Sequence, residues 1–322
     1  MPRQIHRQGL RRSTRLPRAL RISLLLAPAL LVVLVGFGGG LAQALAQSFG
    51  YQPFLPARPL GLDAYRELWA DPAVRASIGL TLRIAVLSTT AAAVLGVAAA
   101  LLVRSLGRSR AAFAALLQVT LPLPHIVAAL AIGLLLAQSG ELSRVAASVG
   151  LVDGPAQFPA LTQDGFGWGI IASYVWKEAP FVAVLVLAVL TKGVADLEDA
   201  ARALGAGWWQ RLWHIILPAL APALGAASVL VFAFTFGSYE VPFLLGRPFP
   251  ATLPVVAYQQ FRDPDLEARP LAMAIAVVTV LLVGLCALAY LRLADRLRGT
   301  GQRGTGQRGT GQREPGQREP AR

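Results

Sequence analysis

The stretch Pro270–Leu291 reads PLAMAIAVVTVLLVGLCALAYL, 22 residues without one charged side chain. At 1.5 Å rise per residue such a helix is about 33 Å long, enough to cross the ~30 Å hydrocarbon core of a bilayer. Five more stretches are long and apolar enough to do the same. They run from Ile22 to Ala46, Ser77 to Val103, Ala111 to Ala137, Phe166 to Leu190 and Pro218 to Leu245. Of the 322 residues, 55% are hydrophobic and 15% charged, whereas a soluble domain carries about 25% charged residues. The fold class these stretches define is all-α and integral to a membrane, with six transmembrane helices. Pro28, Pro122, Pro124, Pro180 and Pro222 fall inside them. Neighbouring helices re-satisfy the carbonyls that a proline frees, so these prolines do not end a span.

The formal net charge is +13, and its distribution sets the orientation. Twenty-one lysines and arginines occupy the leader, the loops after the second and fourth spans, and the tail; seven occupy the other three loops. Basic residues collect on the cytoplasmic side of short loops. Both termini are therefore expected in the cytoplasm, with the chain multi-pass in the cytoplasmic (inner) membrane. The arginine-rich leader and Ala44-Leu45-Ala46 also fit a secretory signal with its cleavage site. The leader is long, however, and the apolar stretch suffices to span, so the first span reads as an uncleaved anchor. Either outcome leaves everything from Ser77 in the same orientation. A single cysteine, Cys286, excludes an intrachain disulfide. From Gly299 to Arg313 the tail repeats Gly-Thr-Gly-Gln-Arg three times. With no large apolar residue to bury, it is expected to be a disordered, solvated repeat without nucleic-acid partners.

Enzymatic chemistry finds little support. His6, His125 and His214 lie in three separate regions without metal-ligand spacing. Lys177 is followed by Glu178 and Lys192 by Gly193, so neither lysine completes a phosphate-binding loop. No cofactor is implied, and ATP hydrolysis would reside on another chain. The competing readings are an intramembrane enzyme, for which a nucleophile–base or metal constellation is missing, and an anchor or assembly protein with a basic tail.

The loop between the fourth and fifth spans is the most informative segment. Asp196 is a candidate N-cap, with Glu198 and Asp199 in the first helical turn, where carboxylates suit the helix dipole. Ala200, Ala201, Ala203 and Leu204 continue the helix, and Gly205 can end it in a left-handed conformation. A second short helix is expected to carry Trp208, Trp209, Leu212, Trp213 and Ile216 on one side, at the membrane–water interface, before Pro218 opens the fifth span. By these signals alone, a connector lying on the bilayer remains an equal reading.

Asp199-Ala200-Ala201, Gly205, Ile215, Leu217 and Pro218 follow the pattern Glu-Ala-Ala-x3-Gly-x9-Ile-x-Leu-Pro, with Asp199 in place of glutamate. This resembles the EAA loop of ATP-binding-cassette importer permeases of the type I, MetI-like kind, and Glu198 can share the role of Asp199. Asp63-Ala64-Tyr65-Arg66-Glu67-Leu68, Thr81-Leu82 and Trp176-Lys177-Glu178-Ala179-Pro180-Phe181 are also similar to that family. The resemblance covers residues 60–293. It leaves a basic leader (1–21), the first span (22–46) and the tail (294–322) outside the permease domain. It implies that the loop is a coupling helix seated on a cytoplasmic ATPase subunit. It also implies a second permease subunit, of the same or a sister chain, and a periplasmic or lipoprotein solute-binding protein.

Arg83, Lys177, Glu178 and Glu240 fall within the expected spans. Charges at membrane depth are costly unless paired or facing a cavity. Lys177 and Glu178 are read as contacts to other helices or to a helix break, or, with Trp176, as part of a substrate path. Glu240 either attracts a cationic substrate or reaches into water. The segment Phe236–Gly246 is similar to the polyamine and ferric-iron branch of the permeases, which points to a small organic cation or a chelated metal as solute.

The charge asymmetry predicts that single cysteines at Gly205 or Gly306, in a Cys286→Ser background, resist an impermeant thiol reagent added outside intact cells. Outside labelling of either would reverse the topology.

Overall fold

The computed structural model describes residues 18–53, 59–190 and 194–303. Most of the basic leader, Lys192 and the later copies of the repeat lie outside the described residues. Helix α1 (Arg18–Val33) passes through a π turn at Leu34–Gly38 into α2 (Gly39–Ser48). Helix α3 (Asp63–Ala70) leads to α4 (Pro72–Ser105), α5 (Arg110–Val119), α6 (His125–Leu136) and α7 (Glu141–Ser148). Then follow α8 (Trp168–Leu190), α9 (Val194–Ala203) and α10 (Trp208–Arg211). A second π turn at Leu212–Ile216 joins α10 to α11 (Leu217–Gly237), before α12 (Glu240–Leu245), α13 (Leu253–Phe261) and α14 (Arg269–Arg303). No strand occurs among the described residues. Among the described residues, six segments are long and apolar enough to cross a membrane: Ile22–Ser48, Pro72–Ser105, His125–Ser148, Trp168–Leu190, Trp208–Gly237 and Leu266–Arg292.

The centre of the bundle is the pairing of α4 with α8. Asp71 caps α4 by accepting from the Ala73 amide at 2.8 Å, and Pro72 occupies its first turn, where no donor is needed. Along α4, Ser77, Thr81, Ala85, Ser88, Ala92, Gly96 and Ala100 recur at three- and four-residue intervals, and all are buried. Small residues at this spacing let two helices approach closely, which is how helices associate where no water drives them together. The facing side of α8 supplies Ile170, Tyr174, Val182, Ala183 and Val186. A Cβ on Gly96 would lie 2.6 Å from Val182 Cβ and 2.9 Å from the Ala179 carbonyl oxygen.

One cluster of buried side chains joins α8 to the start of α11 through Val186, Leu190, Leu212, Ile216 and Leu220. A second joins α3, α4, α13 and α14 through Leu68, Ala85, Leu253 and Ile275. Thr81 links two elements: its Oγ1 donates to the Ser77 carbonyl at 2.7 Å and accepts from the Leu253 amide at 2.8 Å. On the first span the apolar side chains from Ile22 to Phe37 are exposed, and the span joins the bundle near its end. There Ser48 is buried with its Oγ 2.8 Å from Tyr65 Oη.

Three expected span limits are corrected. The stretch Ala111–Ala137 is not one helix: α5 stops at Val119, and α6 starts at His125. Pro122 and Pro124 each lack the amide that would continue the ladder, and α6 with α7 forms the membrane-length segment instead. The fifth span does not begin at Pro218 or end at Leu245. Its helix begins at Trp208 and ends at Gly237, where Ser238 turns extended (ψ 138°). The disorder expected for residues 294–322 is corrected as far as Arg303, and residues 304–322 lie outside the described residues. Helix α14 continues through Arg303, the first copy of the repeat, because Leu291–Arg298 consists mostly of good helix formers that propagate a helix already nucleated.

Gly96→Ala should lower the thermal stability of the purified protein by about 1–3 kcal/mol, because the Ala179 backbone cannot yield. Gly79→Ala, on the same helix with nothing within 4 Å, should be neutral or gain up to about 1 kcal/mol. Melting in detergent with both variants checks the pair.

Candidate functional site

The loop that carries the EAA-like pattern is helix α9, a turn at Gly205, and α10 running through a π turn into α11. Helix α9 begins at Val194, so Asp196 lies in its first turn and is not the N-cap expected from the sequence. Its end is a Schellman closure. Gly205 adopts φ +85°, its amide donates to the Arg202 carbonyl at 2.9 Å, and the Ala206 amide donates to the Ala201 carbonyl at 2.9 Å. Nothing stands within 4 Å of a Cβ added at Gly205, so the left-handed backbone alone calls for glycine. The next helix opens with the Gly207 amide donating to Gln210 Oε1 at 2.9 Å.

Glu198 and Asp199 have different environments. Glu198 is buried, its side chain 6% exposed, whereas the Asp199 side chain is 74% exposed. Glu198 Oε2 pairs with Arg104 Nη2 of α4 at 2.7 Å. Its Oε1 pairs with Arg211 Nη1 of α10 at 3.2 Å, and Arg202 Nη2 of α9 stands 3.7 Å away. One carboxylate thus ties α9 to the ends of two spans. Among the described residues, the ion-pair partner of Asp199 is Arg202 at 3.9 Å. The two residues are about 100° apart around the helix, so only one can face the bundle.

The outer face of α9 presents Leu197, Asp199, Ala200 and Leu204, and Leu204 is 88% exposed. Ala201 is half-buried. The sequence reading places Leu204 in the helix but does not pair it with Leu197, although their seven-residue spacing marks them as one face. On the α10 side the tryptophans do not share a face with Leu212 and Ile216, as the sequence had suggested. Trp208, Trp209 and Trp213 are exposed, whereas Leu212 and Ile216 are buried in the cluster against α8. Ile215 and Leu217 pack against the same cluster. Pro218 is exposed and has no N–H to give the His214 carbonyl. The π turn from Leu212 to Ile216, closed by the Leu217 amide on the Leu212 carbonyl, sits just before it.

A second polar group lies at the break between α5 and α6. Lys177 is 5% exposed, and its Nζ donates to the Leu121 carbonyl at 2.9 Å. Glu178 Oε1 lies 2.8 Å from His125 Nε2 at the first residue of α6. Two consecutive residues of α8 therefore hold both sides of a break that two prolines open. The His125 ring lies 4.2 Å from that of Phe234. Trp176 and Phe234 are exposed on the bundle's surface. Arg83, on α4, donates to the Gly165 carbonyl at 3.0 Å and lies over the Phe166 ring. Glu240 is outside the spanning helix, at the first turn of α12, exposed next to the Tyr239–Phe243 stack. No group of three or more His, Cys, Asp or Glu with metal-binding geometry occurs among the described residues.

A membrane bundle with a helical loop clamped to its underside is the architecture of a transport permease. Residues 92–299 match the model of a protein family, and the chain belongs to it: the binding-protein-dependent transport system inner membrane components. The inner membrane ABC transporter permease protein YdcU of Escherichia coli (strain K12) is 30% identical over 286 residues, covering 85% of this chain and 88% of that relative. YnjC of the same organism, also an inner membrane ABC transporter permease protein, is 30% identical over 254 residues; the match spans 47% of its length. The putrescine transport system permease protein PotI, again from that strain, is 29% identical over 209 residues, covering 63% of this chain and 69% of PotI. Among solved structures, a bacterial ABC transporter involved in the import of the acidic polysaccharide alginate superposes with a TM-score of 0.70 at 19% identity, over 86% of this chain and 96% of that one. The fold is therefore that of an ABC importer permease.

Glu198→Ala should destabilise the fold by about 3–5 kcal/mol, because it leaves Arg104 and Arg211 facing each other without their common anion. Asp199→Ala should change stability by less than about 0.5 kcal/mol, as exposed pairs do. Thermal melts of the purified variants test the difference, and equal effects would refute the assignment of the clamp to Glu198.

Proposed function

We propose that this chain is the transmembrane permease subunit of an ATP-driven, binding-protein-dependent importer in the cytoplasmic membrane, with both termini cytoplasmic. The observation that carries the reading is the loop itself. An exposed face on α9 is tied by one buried carboxylate to α4 and α10, so displacement of the loop moves two spans together. The coupling residues are Glu198, Asp199, Ala200, Ala201, Gly205, Ile215, Leu217 and Pro218, with Leu197 and Leu204 as the apolar contacts. In this reading ATPase subunits seat the α9 face in a cleft, and their closure on ATP pulls the loops of two permease subunits together. The spans then open outward, where a solute-binding protein releases its load. The second permease is a copy of this chain or a sister chain. ATP is hydrolysed on the separate ATPase chain, and this chain needs no cofactor.

We further propose a small cationic solute, polyamine-like or a chelated metal. Glu240 and the aromatic group of Tyr239, Phe243 and Tyr258, whose rings lie 4.6–5.0 Å apart, supply negative charge and π faces. The relative PotI is a putrescine permease by name. Trp176, Lys177 and Glu178 form the deeper part of the path, around His125.

Reconstitution with the ATPase and binding protein tests the reading. Gly205→Val forces a β-branched residue into a left-handed conformation, costing about 1–2 kcal/mol. It should abolish solute-stimulated ATP hydrolysis and uptake while leaving membrane insertion intact. Leu204→Asp should lose copurification of the ATPase at unchanged melting temperature. Wild-type transport by both variants would remove the loop from the mechanism. Uptake of labelled putrescine, ferric chelate and sulfate by the wild type then decides the solute.

A further inference from the structure

A cleft of about 530 Å³ opens beside the Glu198 clamp, between the last turns of α4, helix α9 and the start of α10. We propose that it binds the headgroup of an acidic glycerophospholipid, with an acyl chain lying against Leu101 and Leu102. Three features of the cleft support this occupant.

The first is charge. Of the residues that line the cleft, Arg104 and Arg202 are cationic and Glu198 is the one acid, and Arg211 reaches the same buried carboxylate from behind the lining. Arg104 and Arg211 spend themselves on Glu198. Arg202 does not: its side chain is 61% exposed, its acidic neighbours are 3.7 and 3.9 Å away, and it lines the cleft. A guanidinium with free donors is well matched to a phosphodiester, which it can bind in a bidentate manner.

The second is the wall. Leu101, Leu102 and Ile216 also line the cleft, and Leu102 is 59% exposed. Free phosphate has no use for an aliphatic wall, whereas a phospholipid carries both chemistries. The third is depth. Trp208 borders the cleft, and Trp208, Trp209 and Trp213 are all exposed; tryptophan collects at the headgroup level of a bilayer. Basic pockets between spans at that level take acidic headgroups. The site is compatible with a protein docked on the loop, because Glu198 and Arg202 lie about 100° or more around α9 from Leu197 and Leu204.

The test uses the full chain in nanodiscs of mixed phosphatidylcholine and phosphatidylglycerol, released for native mass spectrometry. One phosphatidylglycerol per chain should be retained in preference to phosphatidylcholine. Arg202→Gln, and separately Ser105→Glu at the rim, should each lower that retention by about fivefold or more, the worth of one basic residue near an acidic membrane. Both variants should melt as the wild type does in phosphatidylcholine alone, which separates loss of the site from loss of the fold. An excess of inorganic phosphate should leave the bound lipid in place. Displacement by phosphate would mark a free-anion site and overturn the lipid assignment. Equal retention of the two lipids, or full retention by both variants, would overturn the site itself.

Discussion

Gly96 lies where any side chain would strike both Val182 and the carbonyl of Ala179. That single close approach sets the distance between α4 and α8, and the other elements take their places from it. The same two helices carry the polar groups on which the loop and the broken span depend. Arg104 sits in the last turn of α4, within reach of Glu198. Lys177 and Glu178 sit on α8 one turn before Val182, at the level of the break between α5 and α6. A bundle driven together by apolar area alone would tolerate a shift of an ångström between these helices. The small-residue stripe does not, because close packing in a membrane is the attraction itself.

Two charged groups at different depths solve different problems. At the α5–α6 break the difficulty is backbone: prolines leave carbonyls without donors in a medium that offers none. An ammonium group repairs one of them at 2.9 Å, and a carboxylate fixes the imidazole on the next helix. At the foot of the bundle the difficulty is mechanical, since a short helix outside the bilayer has little area with which to hold on. A carboxylate shared by guanidinium groups from two other elements, α4 and α10, gives it a directional attachment. Such an attachment adds little net stability against apolar packing, but it fixes which way α9 points.

The spans were legible because hydropathy and length report burial in lipid without reference to any partner. Gly205 was legible because a left-handed helix end has one favoured residue, and the φ of +85° follows from it. What escaped the sequence depended on neighbours. Hydropathy reads straight through Leu121-Pro122-Leu123-Pro124, and only the position of Lys177 on another helix makes a break there tolerable. Glu198 and Asp199 are adjacent carboxylates with equal local credentials, and the place of Arg104 decides between them. The tryptophans and Leu212 were grouped by hydrophobicity, whereas burial against α8 selects the aliphatic pair and leaves the indoles outside.

The π turn gives the interval between Gly205 and Ile215 a meaning beyond length. A π turn holds one residue more than an α turn, so the helix before it is rotated by about 100° relative to the helix after it. Arg211 reaches Glu198, and the indoles face away from α8, only with that offset in place. A chain shorter by one residue here would still form two helices of similar length and polarity. Its loop would be out of phase with its spans, the guanidinium aimed at solvent and an indole turned toward α8. The interval therefore works as a dihedral setting written in residues, and Pro218, by withholding one amide, is what keeps it from relaxing.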